Sequence, residues 1–472
     1  MLNYSFWKFF KEISNIPRKS GEEEKIAQYL VDFAQKRNMR FYRDKANNVI
    51  IWKKSSNSSV YKETIGLQCH TDMICEKTTN TKHDFSNDPL TLYIDGDFIK
   101  AKDTTLGADN GIGIAYILAI LDSQKISVPN LECIFTAQEE TTMDGANFLD
   151  SSILKSKKII SFDNFNEDEM WISSATAKEW TSTIEDKRIQ LDKDKFTVFS
   201  LKLKNFKGGH SGLDISDENR GNPIKIIADI LDVFSEIYIS NFNGGTKANI
   251  IPRDCNISFA INNYEIKKVD IMKENIDKLY KKYPLIDVEF KKIDNNMEFF
   301  NEKTSKNILG FINSFQNGSI NKDNYDNTIL SGNFAAVQTN DDFITLLYSI
   351  RYNNSSMGKI LVNEIQENMK KYNILSKKNN CILGYEQDEN SNLIKICEYL
   401  YYKYFNKKIK KIRVQACLEC GYLAKKILNL EYIAIAPNIY DAHSPNERMS
   451  IKSANKMWEF IIKLLECLNT KN

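Results

Sequence analysis

The chain contains only four histidines, His70, His83, His210 and His443. Two of these stand with carboxylates at one recurrent kind of place, just after an apolar run. His70 and Asp72 follow Ile65-Gly-Leu-Gln-Cys69, Glu139 and Glu140 follow the run ending at Ala137, and Asp163 follows Ile159-Ile-Ser-Phe162. His443 comes a short loop after Tyr432-Ile-Ala-Ile-Ala436. Asp109 lies in Thr105-Leu-Gly-Ala-Asp-Asn-Gly-Ile-Gly113, a glycine-rich turn leading into another apolar stretch. Mixed imidazole nitrogen and carboxylate oxygen is the donor set of zinc or a similar divalent ion. Two ions sharing one bridging carboxylate, ~3.5–4 Å apart, can polarise a carbonyl and activate a water together. A further carboxylate beside them could act as general base. Taken singly, each residue has an ordinary reading: a loop residue, a solvated pair for Glu139-Glu140, a helix cap for Asp109. Their joint placement points to metal chemistry.

That placement requires a sheet whose strands end on one edge, because ligands of open α/β sheets gather outside the carboxyl ends of strands. The sequence supplies suitable runs. Val49-Ile-Ile-Trp52, Thr64 to Cys69, Leu131 to Ala137, Lys158 to Phe162 and Tyr432 to Ala436 read as buried strands. Helices are expected after a capping box at Ser20-Gly-Glu-Glu23 and over Ile112–Leu121, Ala146–Leu154, Ser391–Tyr404 and Ser453–Leu468. The alternation predicts an α/β domain with a mostly parallel sheet flanked by helices. From about residue 179 the texture changes to longer alternating strands such as Phe196–Lys204, with helices such as Pro223–Ile237. The expected organisation is a discontinuous catalytic domain, residues 1–178 and 386–472, interrupted by an inserted α+β domain over residues 179–385.

Composition narrows the function classes. The chain has 472 residues with Lys+Arg 64 against Asp+Glu 62, a net charge of +2. That balance lacks the basic excess of a nucleic-acid footprint, so no nucleic-acid partner is expected. No window approaches the ~20 apolar residues of a bilayer span, and Lys8, Lys11 and Glu12 interrupt any signal-peptide core, so no membrane role is expected. The nine scattered cysteines fit a reducing compartment, and a cytoplasmic location is expected. Gly107, Gly111 and Gly113 match neither the dinucleotide fingerprint nor a phosphate-binding loop. Cys417 and Cys420 have redox-pair spacing, but no second pair completes a zinc site, and core packing is the simpler reading.

Together these segments resemble the aminoacyl-histidine dipeptidases (Xaa-His dipeptidase, peptidase D), a branch of the dinuclear zinc aminoacylase and carboxypeptidase clan. The resemblance spans nearly the whole chain. It is carried by Ile13-Ser-Asn-Ile-Pro-Arg-Lys-Ser20, Gln68-Cys-His-Thr-Asp-Met73, His83-Asp-Phe85, the Thr105–Gly113 turn and Thr136-Ala-Gln-Glu-Glu-Thr141. It continues in Gly208-Gly-His-Ser-Gly212, Asn249-Ile-Ile-Pro-Arg253, Leu418-Glu-Cys-Gly421 and Ala442-His-Ser-Pro-Asn-Glu-Arg448. It implies hydrolysis of dipeptides, Xaa-His above all, with two divalent ions, zinc first and cobalt or manganese as alternatives. His70 and Asp163 would hold one ion, Glu140 and His443 the other, with Asp109 bridging. Glu139 would take a proton from the attacking water and pass it to the leaving amine, and Asp72 would orient His70. The inserted domain would be the family's lid, with a homodimer formed through it. In it His210 would stabilise the oxyanion and Asn249 and Arg351 would contact substrate, Arg351 as a bidentate clamp on a carboxylate. His83 has no ligand role and reads as loop structure.

The chain departs from the family pattern where a His is replaced by Gln415 and a Gly by Cys417, and the segment after Asp163 lacks the usual acidic run. These positions lie outside the ligand set and bear on specificity. The competing readings are a hydrolase of the same clan acting on other dipeptides or N-acyl amino acids, and a non-enzymatic binding protein on this scaffold.

Overall fold

The apolar runs around His70 pair into an eight-stranded sheet. Its order is Phe41–Arg43, Val49–Lys53, Asn130–Thr136, Thr64–His70, Lys158–Ser161, Glu431–Ala434, Glu169–Ser174, Lys410–Val414. Thr64–His70 runs parallel to both Asn130–Thr136 and Lys158–Ser161, and Glu431–Ala434 runs parallel to Lys158–Ser161. Phe41–Arg43 with Val49–Lys53, Val49–Lys53 with Asn130–Thr136, and Glu431–Ala434 with Glu169–Ser174 are antiparallel. Because the central strands point the same way, the segments that continue from them leave the sheet on one edge. Residues 65–70 are all buried, the continuous pattern of a parallel strand covered on both faces.

The computed structural model describes residues 2–56, 63–323 and 326–470. The chain forms two units: Met1–Ser174 with Tyr385–Ile412 and Leu418–Asn472, and Ala175–Gly384 with Arg413–Cys417. The first unit is built around the helix Ala108–Asp122, which is apolar and buried on nearly every side. Its Tyr116 packs edge-on against Phe6, ring centroids 4.9 Å apart, stacks on Trp458 and donates to the Ala454 carbonyl at 2.7 Å. The N-terminal helix Phe6–Ser14 and the closing helix Ile451–Thr470 are thereby joined to it. The second unit is a nine-stranded sheet, antiparallel throughout its pairings, with Phe199 opposite Phe259 in its core. The helix Pro223–Leu231 packs on it, capped by Asn222, whose side chain accepts from the Ile224 and Lys225 amides. No helix among the described residues is long and apolar enough to cross a membrane.

Four expectations are corrected. The capping box does not form: the helix starts at Glu24, Ser20 Oγ pairs with Thr141 Oγ1 at 2.9 Å, and Glu23 Oε1 accepts from the Gly21 and Gln138 amides. The helix expected over 146–154 is instead a short helix, Asp144–Phe148, followed by a 3-10 turn at Ser151–Ile153, and Lys426 Nζ reaches in to take the carbonyls of Ala146, Asn147 and Leu149. The helix beginning at Pro223 ends at Leu231, and the Glu265 carboxylate accepts from the Ser235 and Glu236 amides beyond it. Arg413–Cys417, expected in the first unit, packs with the second. There Asn353 Nδ2 donates to the Val414 carbonyl and the Ala175 amide to that of Ala416.

The helix Ala108–Asp122 approaches the sheet through Gly113, where a Cβ would lie 2.8 Å from Cys69 Cβ and 2.9 Å from Phe162 Cβ. Gly113→Ala is therefore expected to lower the stability of the metal-free protein by about 1–3 kcal/mol, the usual cost of overpacking. Chemical denaturation measures it, and an unchanged midpoint would show that the helix can shift freely.

Candidate functional site

The common strand edge delivers the site. His70 is the last residue of Thr64–His70 and is wholly buried. Its Nε2 lies 3.0 Å from Asp109 Oδ1 and its Nδ1 3.4 Å from Asp72 Oδ1. Asp72 is also buried and does a second job, accepting from the Glu139 amide at 3.1 Å and the Glu140 amide at 3.0 Å. One carboxylate thus aligns the imidazole after one strand and the two glutamates after its neighbour. Asp109, 6% exposed, turns its other oxygen to His443, with Oδ2 3.0 Å from His443 Nε2. Glu140 Oε1 stands 3.2 Å from that same nitrogen. Ligand atoms of His70, Asp109 and Glu140 all lie within 4.8 Å of one another.

Asp109 comes from the turn that opens the buried helix. Gly107 has φ +64°, and a Cβ there would lie 2.7 Å from Met73 Sδ, so the turn needs glycine. Arg18, 2% exposed, donates to the Gly107 carbonyl and, through Nη1, to those of Thr71 at 3.2 Å and Asp72 at 3.0 Å. Glu447 accepts from the Leu106, Gly107 and Ala108 amides at 2.8–2.9 Å. A third buried carboxylate, Glu419, accepts from Thr136 Oγ1 at 2.6 Å and Gln68 Nε2 at 2.5 Å, joining the strands that precede Glu139 and His70. Arg18, Glu419 and Glu447 were inside motif segments of the sequence, but no spacing rule separates a buried charge from a solvated one.

Packing so many acids together without water is costly. Burial and the charge of Asp109 push Asp163 up to about 8. Burial, with the charges of Asp163 and Glu140 and against the pull of His70, holds Glu139 well above the ordinary range. Burial and Asp109 raise Glu140. For His443, burial opposes the charged ring, but hydrogen bonds and charges of Asp109 and Glu140 outweigh it and lift it to about 11. Asp109 itself is held low, its burial overcome by the two imidazoles. These pulls favour protonated forms within the cluster. The donors fit a divalent ion: imidazole and carboxylate atoms converge, and Asp109 offers a separate oxygen to each of two imidazoles, as a bridging ligand does.

The remaining expected residues lie in the second unit. His210 sits on the short strand Gly209–His210, and its Nδ1 accepts from the Gly212 and Leu213 amides at 3.2 and 3.1 Å. With Nδ1 accepting, the neutral ring carries its proton on Nε2. Asn249 is exposed, and its carbonyl accepts from the Ser211 amide. Arg351 is 7% exposed, with Nη1 3.2 Å from both the Gln415 carbonyl and Cys417 Sγ. A Cβ on Gly212 would lie 2.9 Å from that Gln415 carbonyl and 3.0 Å from the His210 ring, so His210, Arg351 and Gln415 form one neighbourhood. Among the described residues the cysteines are free, Cys420 Sγ lying against Ser174 Oγ. His83 packs edge-on against Phe85, ring centroids 4.4 Å apart.

Comparison with known proteins agrees with this chemistry. Residues 201–287 match the model of the M20 peptidase dimerisation domain. A cytosol non-specific dipeptidase of Escherichia coli (strain K12) is 30% identical over 482 residues, 98% of each chain. The crystal structure of aminoacylhistidine dipeptidase from Vibrio alginolyticus superposes with a TM-score of 0.87 at 29% identity, covering 98% of this chain and 96% of that one. The aminopeptidase PepT of Bacillus cereus shares the fold at a TM-score of 0.58 and 14% identity, covering 99% of this chain and 98% of that one.

Burial and neighbouring charge favour the protonated forms of Asp163 and His443 in the metal-free protein, whereas a cation held by them would need their basic forms. Zinc or manganese binding is therefore expected to release about one or more protons and to tighten as pH rises through neutrality. Calorimetry in two buffers of different ionisation heat measures the number, and no release would contradict the assignment of these side chains to the ion.

Proposed function

The chain belongs to the M20 family of peptidases, and from that premise we propose that it hydrolyses dipeptides with the aid of two divalent ions. The observation that carries the reading is the Asp109 carboxylate divided between His70 and His443, with Glu139 anchored beside it through Asp72. His70 and Asp163 would hold one ion, Glu140 and His443 the other, and Asp109 both. Zinc fits this mixture of donors, and cobalt or manganese can share it. Such ions, when bound, polarise the scissile carbonyl and make water a nucleophile at neutral pH.

The side chains then do the proton work. Glu139, whose burial raises its affinity for a proton, takes one from the attacking water and delivers it to the leaving amine. Asp72 keeps His70 in the tautomer that presents Nε2 and fixes the Glu139 and Glu140 amides. His210, carrying its proton on Nε2, serves as a hydrogen-bond donor to the oxyanion. Asn249 and Arg351 are assigned to the polar ends of the substrate.

For specificity, the Gln415 side chain is informative. It is buried, its Oε1 accepts from Ser331 Oγ at 3.0 Å and its Nε2 donates to Asn353 Oδ1. The amide is thus held in place at both ends, and the imidazole that the family pattern has at this position is missing. The proposed substrates are dipeptides with varied second residues, Xaa-His among them. A cytoplasmic location and a homodimer assembled through the second unit complete the proposal, the latter supported by the match to a dimerisation domain.

Glu139→Gln is expected to retain both ions while kcat falls about 10²–10⁴-fold, the range of a lost general acid–base. Retained turnover would remove that role. A panel of dipeptides differing at the second residue, with N-acyl amino acids and a chelated control, is expected to show broad dipeptide cleavage abolished by chelation. Cleavage confined to Xaa-His, or of N-acyl compounds alone, would contradict the proposed specificity. Light scattering is expected to give twice the chain mass.

A further inference from the structure

Glu447 has no place among the ligands or the proton carriers, yet its carboxylate is 2% exposed and fully engaged. Oε2 accepts from the Leu106 amide at 2.8 Å and the Gly107 amide at 2.9 Å, and Oε1 from the Ala108 amide at 2.8 Å, with the Asp109 amide at 3.5 Å. The Gly107, Ala108 and Asp109 amides are among those that the start of a helix leaves unpaired, and Gly107 has no side chain to cap them. Glu447 lies four residues after His443, in a loop closed on itself. Arg448 pairs with Asp441, Ser444 Oγ donates to the Asp441 carbonyl at 2.7 Å, and the Glu447 amide donates to the Ser444 carbonyl at 3.0 Å. His443 itself has φ +63°, a left-handed conformation that this closed loop must hold. A displacement of Glu447 is therefore passed to His443.

The turn bearing Asp109 is consequently held from two directions. Arg18 ties it to Thr71 and Asp72, beside His70, and Glu447 ties it to the loop of His443. We propose that Glu447 is a positioning residue for the His443 half of the metal centre: it fixes the spacing between His443 and Asp109 and so sets the affinity of the ion that Glu140 and His443 share. The proposal rests on the two-ion reading above.

Glu447→Gln keeps the side-chain volume but presents an amide nitrogen to backbone donors, and Glu447→Asp keeps the charge on a shorter stem. The test is zinc stoichiometry and affinity of the full-length variants in metal-buffered solution, with kcat followed as free zinc is raised. The expected result is one ion bound as in the parent protein, the other weakened about 10–100-fold, and kcat restored by excess zinc. Two ions bound with parental affinity, equal weakening of both, or failure of both variants to fold would overturn the proposal. Failure of the parent protein to take up two ions would instead overturn the reading on which it rests.

Discussion

A buried carboxylate shared by two imidazoles, one wholly buried and the other open to solvent on one side, is the constraint on which the rest of the first unit depends. Asp109 meets His70 through one oxygen and His443 through the other, each at 3.0 Å. Glu139, Glu140 and Asp163 are drawn into the same small volume, and their mutual repulsion is large because little solvent screens it. Such an arrangement is stable only if the backbone around it is fixed and if positive charge fills its centre. The first condition is met by the fold, the second by protons or by divalent ions.

The parallel strands meet the first condition most directly. Three of them, ending at His70, Thr136 and Ser161, stop at the same edge in adjacent positions, so the side chains just beyond them are neighbours although far apart in sequence. Asp72 then couples two of these strand ends through an imidazole and two amides. Gly113 lets the helix behind them come close, and Gly107 gives its first turn the left-handed bend that aims Asp109. The link from sequence to chemistry thus runs through a few positions where either no side chain fits or a buried charge replaces a missing partner.

Much of this was legible in the sequence because buried parallel strands are written as uninterrupted apolar runs, and the loops at their carboxyl ends are written in the residue types of metal ligands. The gathering of His70, Glu140 and Asp163 just beyond strand ends was visible for that reason, whereas Asp109 stood out by its glycine-rich turn. Residues whose roles depend on tertiary contacts were not. Arg18 and Glu447 are charged loop residues, a class that is ordinarily solvated, and only the folded chain shows them buried against backbone carbonyls and amides. Lys426 takes carbonyls at the end of a helix nearly 280 positions away in sequence, and Glu23 forgoes its local cap for the Gln138 amide. The passage of Arg413–Cys417 into the second unit likewise depends on Asn353 and Ser331, distant partners that no local pattern encodes.

The central claim is that Asp109 lies between two divalent ions. Anomalous diffraction from crystals of the zinc-loaded protein tests it most directly. The account predicts two peaks, one beside His70 and Asp163 and one beside His443 and Glu140, with the Asp109 carboxylate between them. A single peak, or two peaks with Asp109 touching only one, would contradict it.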